Sequence, residues 1–198
     1  MAGSKDFVCI LGASGSGKST YGQFVLDNLK IPVKVFNGDL ERKILMQSHN
    51  SQTAEKLLSQ KFNDLKNDAK SKKDSFAVES PMPMIDLIKE FKIEGYQIKA
   101  IFFGLESPDS CNIRIDNRVA LGGLDIPPES VVNIYDMSFK MLRQEIEKRT
   151  FDNVYFFQDA KMIAEFSKDK KILKINDFNI NWFNRMIKPF IELYIYNN

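Results

Sequence analysis

The sequence predicts an α/β fold, a parallel sheet covered by helices on both faces. Three observations predict it. Short apolar, β-prone runs alternate with helix-period segments through most of the chain, the pattern of consecutive βα units. The first such run leads directly into a glycine-rich loop and then a helical segment. No internal repeat, linker or low-complexity stretch breaks the alternation, so residues 1–198 read as one domain.

The first strand is Phe7-Val8-Cys9-Ile10-Leu11. The loop after it, Gly12-Ala13-Ser14-Gly15-Ser16-Gly17-Lys18-Ser19, fits Gly-x-x-x-x-Gly-Lys-Ser/Thr, the Walker A pattern. With average residue frequencies such a match arises by chance in roughly 1% of chains this long, and the flanking strand and helix lower that further. A helix from Thr20 to Leu29 follows, with Tyr21, Val25 and Leu29 on one face. The glycines allow backbone angles closed to other residues and let the chain approach phosphate closely. Successive N–H groups and the positive helix end then face an anion. The loop from Gly12 to Ser19, with Thr20, is therefore the expected nucleotide site. Lys18 is expected on the β- and γ-phosphates of ATP, and the Ser19 hydroxyl on Mg²⁺.

Ile31-Pro32 turns the chain into a second strand, Val33 to Phe36, and Asn37-Gly38-Asp39 closes it at the edge where open α/β sheets place their sites. A helical region from about Leu40 to Lys70 is expected to break near His49-Asn50-Ser51. Its second part sets Leu58, Phe62, Leu65 and Ala69 on one stripe. Lys56, Lys61, Lys66, Lys70, Lys72 and Lys73 fall mostly off that stripe, as a solvated face rather than a basic groove. Ser75 to Glu79 reads as a buried strand ending in a carboxylate.

Pro81 and Pro83 introduce a helix lined by Met84, Leu87, Ile88 and Phe91, which Gly95 ends. The fourth strand is Tyr96 to Gly104. Ser107-Pro108 has the form of an N-cap followed by proline at the first helical position, and that helix runs to about Leu121. A long helix to about Arg149 carries a seam of Val132, Tyr135, Phe139, Leu142 and Ile146. Val154 to Phe157 is the fifth strand. Met162 to Phe166 and Ile172 to Ile175 suit a terminal hairpin. The tail has Phe183, Met186, Ile187, Phe190, Ile191 and Tyr194 at helical spacing, with Pro189 placed to kink or split it.

Composition excludes several classes. Hydrophobic residues make up 43% and charged residues 27%, the balance of a soluble globular chain. A net charge of +2 is too small to indicate nucleic acid or an anionic membrane. No run suits a signal peptide or a membrane span. Cys9 and Cys111 read as small core residues in a reducing compartment, so a cytoplasmic location is expected. His49 lies in a polar stretch, and a zinc site has no ligands to use. The 16 phenylalanines are read as core rather than an adenine-stacking platform.

A Walker A loop names a class of site, not a reaction. A GTPase should carry Asn-Lys-x-Asp, which is missing here, and large motor ATPases need more chain. A small kinase needs a carboxylate to accept a hydroxyl proton and arginines to neutralise the transferred group. Asp39 and Arg118 are the candidates. The plainer readings are a turn in which Asp39 caps the next helix, and a surface arginine.

Several segments in order resemble one family. Asn37-Gly38-Asp39 resembles the Asn-x-Asp motif of the zeta toxin family of phosphate-loop kinases, and Ser75 to Ser80 resembles its strand ending in Glu. Gly95-Tyr96 before the fourth strand is also similar. Arg114, Arg118-Val119, Gly122-Gly123 and Pro127 resemble its arginine-rich helix and Gly-Gly-His-x-x-Pro segment, and Tyr135 and Ser138 its Arg-Tyr-x-x-Ser continuation. Leu124 stands where the family has His. Val132, Asn133 and Ile134 stand where it usually has arginines. Lys140 and Arg143, further along the same helix, are candidate substitutes.

The resemblance implies a five-stranded parallel sheet in the kinase-type order 2-3-1-4-5, followed by the hairpin and helix. It implies ATP- and Mg²⁺-dependent phosphorylation of a sugar hydroxyl, UDP-N-acetylhexosamines being the family's substrates, and it makes a small antitoxin protein a candidate partner. Catalysis then falls to Lys18, Asp39 and Arg118. Substrate contacts fall to Asn37, Glu79 and Arg114, with Glu79 also a candidate for a water-mediated Mg²⁺ contact. Asp159 and Glu106 are weaker candidates for the metal role. A nucleotide-binding regulatory protein with little transfer is the alternative that the missing arginines leave open.

Overall fold

The computed structural model describes residues 5–196; residues 1–4 and 197–198, the ends of the expected single domain, lie outside the described residues. Strand β1 (Asp6–Leu11) is buried along its whole length, which places it in the middle of the sheet. It pairs in parallel with β3 (Phe76–Glu79) on one side and β4 (Gln97–Phe103) on the other. Strand β2 (Val35–Asn37) lies beyond β3, and β5 (Asn153–Gln158) beyond β4, again in parallel. These five stand in the order 2-3-1-4-5.

The expected hairpin forms, and it does not stand apart. Strands β6 (Lys161–Ser167) and β7 (Ile172–Ile175) continue the same sheet from β5, antiparallel, to give seven strands. The sheet is therefore mixed, not wholly parallel. The two-residue turn Asp159-Ala160 is the reason, because so short a connection can only return the chain antiparallel. Asp159 takes a left-handed φ of 54° to make it.

Side-chain alternation along β1 divides the core into two layers. Phe7, Cys9 and Leu11 face one layer; Val8 and Ile10 face the other. The second layer is closed by α1 (Lys18–Asn28) through Val25 and Leu26. In the first, Phe7 stacks on Phe91 of α4 (Ile85–Ile93) with ring centroids 4.3 Å apart. Burying a ring of this size contributes about 1.5–3 kcal/mol. The phenylalanines thus go largely to the core. Cys9 and Cys111 are buried free thiols, and His49 is exposed.

Some boundaries move for local reasons. Helix α1 begins at Lys18 rather than Thr20, because Gly17 already ends the loop. Strand β2 begins at Val35 rather than Val33, because the Val33 N–H turns back onto Ile31 O at 2.9 Å. The break between α2 (Gly38–Leu45) and α3 (Ser51–Lys72) falls where expected, and Asn50 caps α3 by accepting from the Thr53 N–H. On α3, Leu58 and Ala69 are buried, but Leu65 is 43% exposed. It faces an open groove beside Val35, Phe36 and Phe76 rather than the core. Lys66 and Lys70 are not purely solvated either, since both pair with Glu90 of α4.

Helix α5 (Pro108–Ala120) starts as expected, with Ser107 accepting from the Ser110 N–H. On α6 (Pro128–Glu147) the buried seam starts at Val131, not Val132; the positions i, i+4 from Val131 reach Tyr135 and Phe139, while Val132 turns 39% exposed. The Tyr135 hydroxyl donates to Leu105 O at 2.8 Å and fixes α6 to the end of β4. The tail splits as Pro189 requires, into α7 (Asn181–Met186) and α8 (Lys188–Tyr196). Pro189 sits in the first turn of α8, where its missing N–H costs nothing.

Candidate active site

The site lies at the carboxyl edge of the sheet, where the loop after β1 is gripped from two sides. Gly12 has φ 132°, and a Cβ there would stand 2.2 Å from Phe103 O on β4. Gly15 has φ 81°, and its Cβ would stand 2.6 Å from Cys111 O on α5. Only glycine fits either place. The Ser16 N–H donates to Ala13 O at 3.1 Å. Ser16 Oγ is buried and, among the described residues, has no partner.

Lys18 is held inside this loop with 7% of its surface exposed. Its Nζ donates to Gly12 O at 2.6 Å and Ala13 O at 2.8 Å. Burial lowers its pKa from 10.5 to about 8, against the pull of Glu79, Cys111 and Asp39, with Arg118 adding a smaller push downward. A desolvated cation with neutral partners favours an incoming anion.

Three strand and helix ends meet beside it. The Ser19 hydroxyl donates to Glu79 Oε1 at 2.7 Å. The Asn37 amide donates to Glu79 Oε2 at 2.8 Å and to Ser19 Oγ at 3.2 Å. Asn37 Oδ1 accepts the Leu40 N–H at 3.0 Å. Asn37, extended at the end of β2, is thus the cap of α2. The capping alternative for Asp39 is corrected accordingly: Asp39 is already inside the helix, two residues past the cap position.

Asp39 is exposed on the first turn of α2 and accepts from Arg42 Nη1 at 2.9 Å, while Arg42 Nε reaches Glu55 on α3 at 2.5 Å. Arg118 is also exposed, and its Nη2 donates to Leu124 O at 2.6 Å. Arg114 pairs with both oxygens of Asp159, at 2.7 and 3.3 Å. Its Nη1 lies 3.7 Å from the place a Cβ on Gly17 would take, so Arg114 flanks the loop from α5, tied to the β5–β6 turn through Asp159. Asp159 is engaged there, and Glu106 stands exposed after β4. Thr20 continues α1, its N–H on Gly17 O.

The structure therefore brings Lys18, Ser19, Asn37 and Glu79 into direct contact or charge range, with Asp39 and Arg118 near enough to act on Lys18. It does not bring Arg143 to the site. That guanidinium lies 5.1 Å over the Phe190 ring and donates to Met186 O, so the tail holds it. Lys140 is exposed on α6, as is Asn133. Sequence reasoning missed Lys43, whose Nζ crosses to Gly122 O at 3.1 Å. The available signal was its position one helical turn after Asp39.

The donor set fits the expected groups. Hydroxyl, carboxylate and amide oxygens suit a hard cation such as Mg²⁺. No group of three or more His, Cys, Asp or Glu side chains that could hold a metal occurs among the described residues. No described helix is long and apolar enough to cross a membrane.

No family model matches the chain, and no curated protein does. Solved structures do. A chain of the PezAT chromosomal toxin–antitoxin system of Streptococcus pneumoniae superposes with a TM-score of 0.63 at 16% identity, over 83% of this chain and 72% of that one. The fold is zeta-toxin-like. The AvrRxo1-ORF1:AvrRxo1-ORF2 structure with sulphate ions gives 0.63 at 14% identity, over 95% of this chain and 65% of that one. The Pnkp1/Rnl/Hen1 RNA repair complex gives 0.55 at 17% identity, over 73% and 47%. At these identities the likeness concerns the fold. What is shared is the α/β fold, a central sheet flanked by helices.

Proposed function

We propose that the protein is an ATP-dependent phosphotransferase that moves the γ-phosphate to a hydroxyl of a small molecule. One observation carries the reading: Lys18, the Ser19–Glu79–Asn37 cluster and Asp39 converge at one edge of the sheet. Lys18 places its charge on the donor phosphates, exchanging the carbonyls of Gly12 and Ala13 for phosphate oxygens. When bound, Mg²⁺ supplies charge neutralisation on the β- and γ-phosphates. Ser19 would hold it directly, and Glu79 orients Ser19. Asp39 accepts the proton of the attacking hydroxyl. The acceptor oxygen bonds to the γ-phosphorus as the bond to the β-phosphate oxygen breaks, and ADP leaves. Arg118 neutralises charge on the moving group.

A nucleotide sugar of the UDP-N-acetylhexosamine type is the acceptor that the zeta-toxin resemblance favours. A small antitoxin is the matching protein partner, supported by the toxin–antitoxin system from which the PezAT chain comes. One observation favours a second reading, a nucleotide-binding regulator without efficient transfer. Val132 and Asn133 are exposed on α6 and bring no positive charge there. Incubation with ATP, Mg²⁺ and a metabolite panel containing nucleotide sugars separates the two. Phosphorylated product supports the first; ATP binding without any product supports the second.

A further inference from the structure

We propose that Lys43 is the second cation of the transfer site, contacting the moving phosphoryl group from the side opposite Arg118. The inference rests on the phosphotransferase reading. Lys43 follows Asp39 by four residues on α2, so the two side chains share one helix face. That face looks across the cleft, because Lys43 Nζ reaches Gly122 O at 3.1 Å in the connection between α5 and α6. Arg118 ends in the same short segment, its Nη2 on Leu124 O at 2.6 Å.

Two cations, one from α2 and one from α5, thus rest on neutral carbonyls of one short segment, Gly122 O and Leu124 O. Among the described residues neither makes an ion pair, whereas Arg42, Lys61, Lys66, Lys70 and Arg114 each have a carboxylate. Like charges brought together without a counter-ion repel, and an anion between them relieves that. Arg118 is near enough to Lys18 to affect its proton affinity. Arg118 and Asp39 both act on Lys18, and Lys43 lies one helical turn beyond Asp39 on α2, with its Nζ on the segment that also holds Arg118. A phosphoryl group passing from the loop to a hydroxyl held by Asp39 would then have Arg118 on one wall and Lys43 on the other. Lys43 supplies from α2 the charge that Val132, Asn133 and Ile134 do not supply from α6.

The test uses the full chain with Mg-ADP, alone and with aluminium fluoride, which mimics the phosphoryl group in transfer. Affinity is read by titration in the parent, Lys43→Met and Lys43→Arg, with melting temperature as a check on folding. Aluminium fluoride should tighten Mg-ADP binding in the parent. Lys43→Met should lose at least about tenfold of that gain while binding Mg-ADP alone as the parent does, and Lys43→Arg should keep most of it. An equal gain in parent and Lys43→Met overturns the role of Lys43 and leaves the phosphotransferase reading standing. A parent that binds Mg-ADP and gains nothing from aluminium fluoride overturns both.

Discussion

The Ser19 hydroxyl donates to Glu79 at 2.7 Å, joining the first turn of α1 to the end of β3. Glu79 also accepts from Asn37, so one carboxylate ties the phosphate loop to two strand ends. On the proposed function this gives Glu79 a positioning duty toward Ser19, the proposed metal ligand. Glu79→Gln keeps the shape and removes the charge. It should raise the Mg²⁺ concentration needed for ATP binding by about 10–100-fold, the usual effect of losing a ligand's orienting partner. A Mg²⁺ titration of ATP-induced stabilisation measures this, and an unchanged midpoint would reject the role.

Lys18 gives a pH prediction. Its pKa is about 8 in the folded chain, against 10.5 when unburied. Between those values the unfolded chain binds more protons than the folded one, so this group's contribution to stability rises with pH across the window. A polyphosphate restores the charged form. ATP binding near pH 9 should therefore take up a proton, and affinity should fall as pH rises through the window. Calorimetry in two buffers of different ionisation enthalpy reads the uptake directly. Lys18→Ala should show neither the uptake nor an ATP-induced rise in melting temperature. Identical heats in both buffers for the parent would contradict the assignment.

Asp39→Asn removes a proton acceptor while keeping shape. The cap of α2 is untouched, because Asn37 provides it. ATP affinity should hold and transfer should fall by about 10²–10⁴-fold. Full activity in the variant would move the base elsewhere, with Glu79 next in line.

Much of this was legible in the chain. The loop announces itself because its glycines serve local backbone geometry, and the five-strand order follows the zeta toxin resemblance. Side-chain frame was less legible: Val131 and Val132 are adjacent and identical, and only packing decides which is buried. Arg143 was a candidate for the site until long-range contacts with Phe190 and Met186 claimed it. Lys43 was passed over because its reach to Gly122 spans 79 residues of sequence. The hairpin was legible, but not that β6 would pair with β5: the turn between them, Asp159-Ala160, carries no glycine, and Asp159 itself takes the left-handed φ.

Arg118 should carry most of the arginine duty. Arg118→Ala should lower turnover by at least about 10²-fold with little change in substrate binding, the pattern of a contact made mainly in the transition state. Asn133→Arg should raise turnover if the start of α6 has only lost a charge, and should leave it unchanged if Lys43 already fills the place. Steady-state kinetics on the three proteins decide between these.

The central claim is transfer itself. The direct measurement follows label from γ-labelled ATP, with Mg²⁺, into a panel of hydroxyl-bearing metabolites that includes UDP-N-acetylhexosamines. Transfer to an acceptor by the parent, and none by Lys18→Ala, is the predicted result. A parent that binds ATP yet moves no label to any acceptor would contradict it.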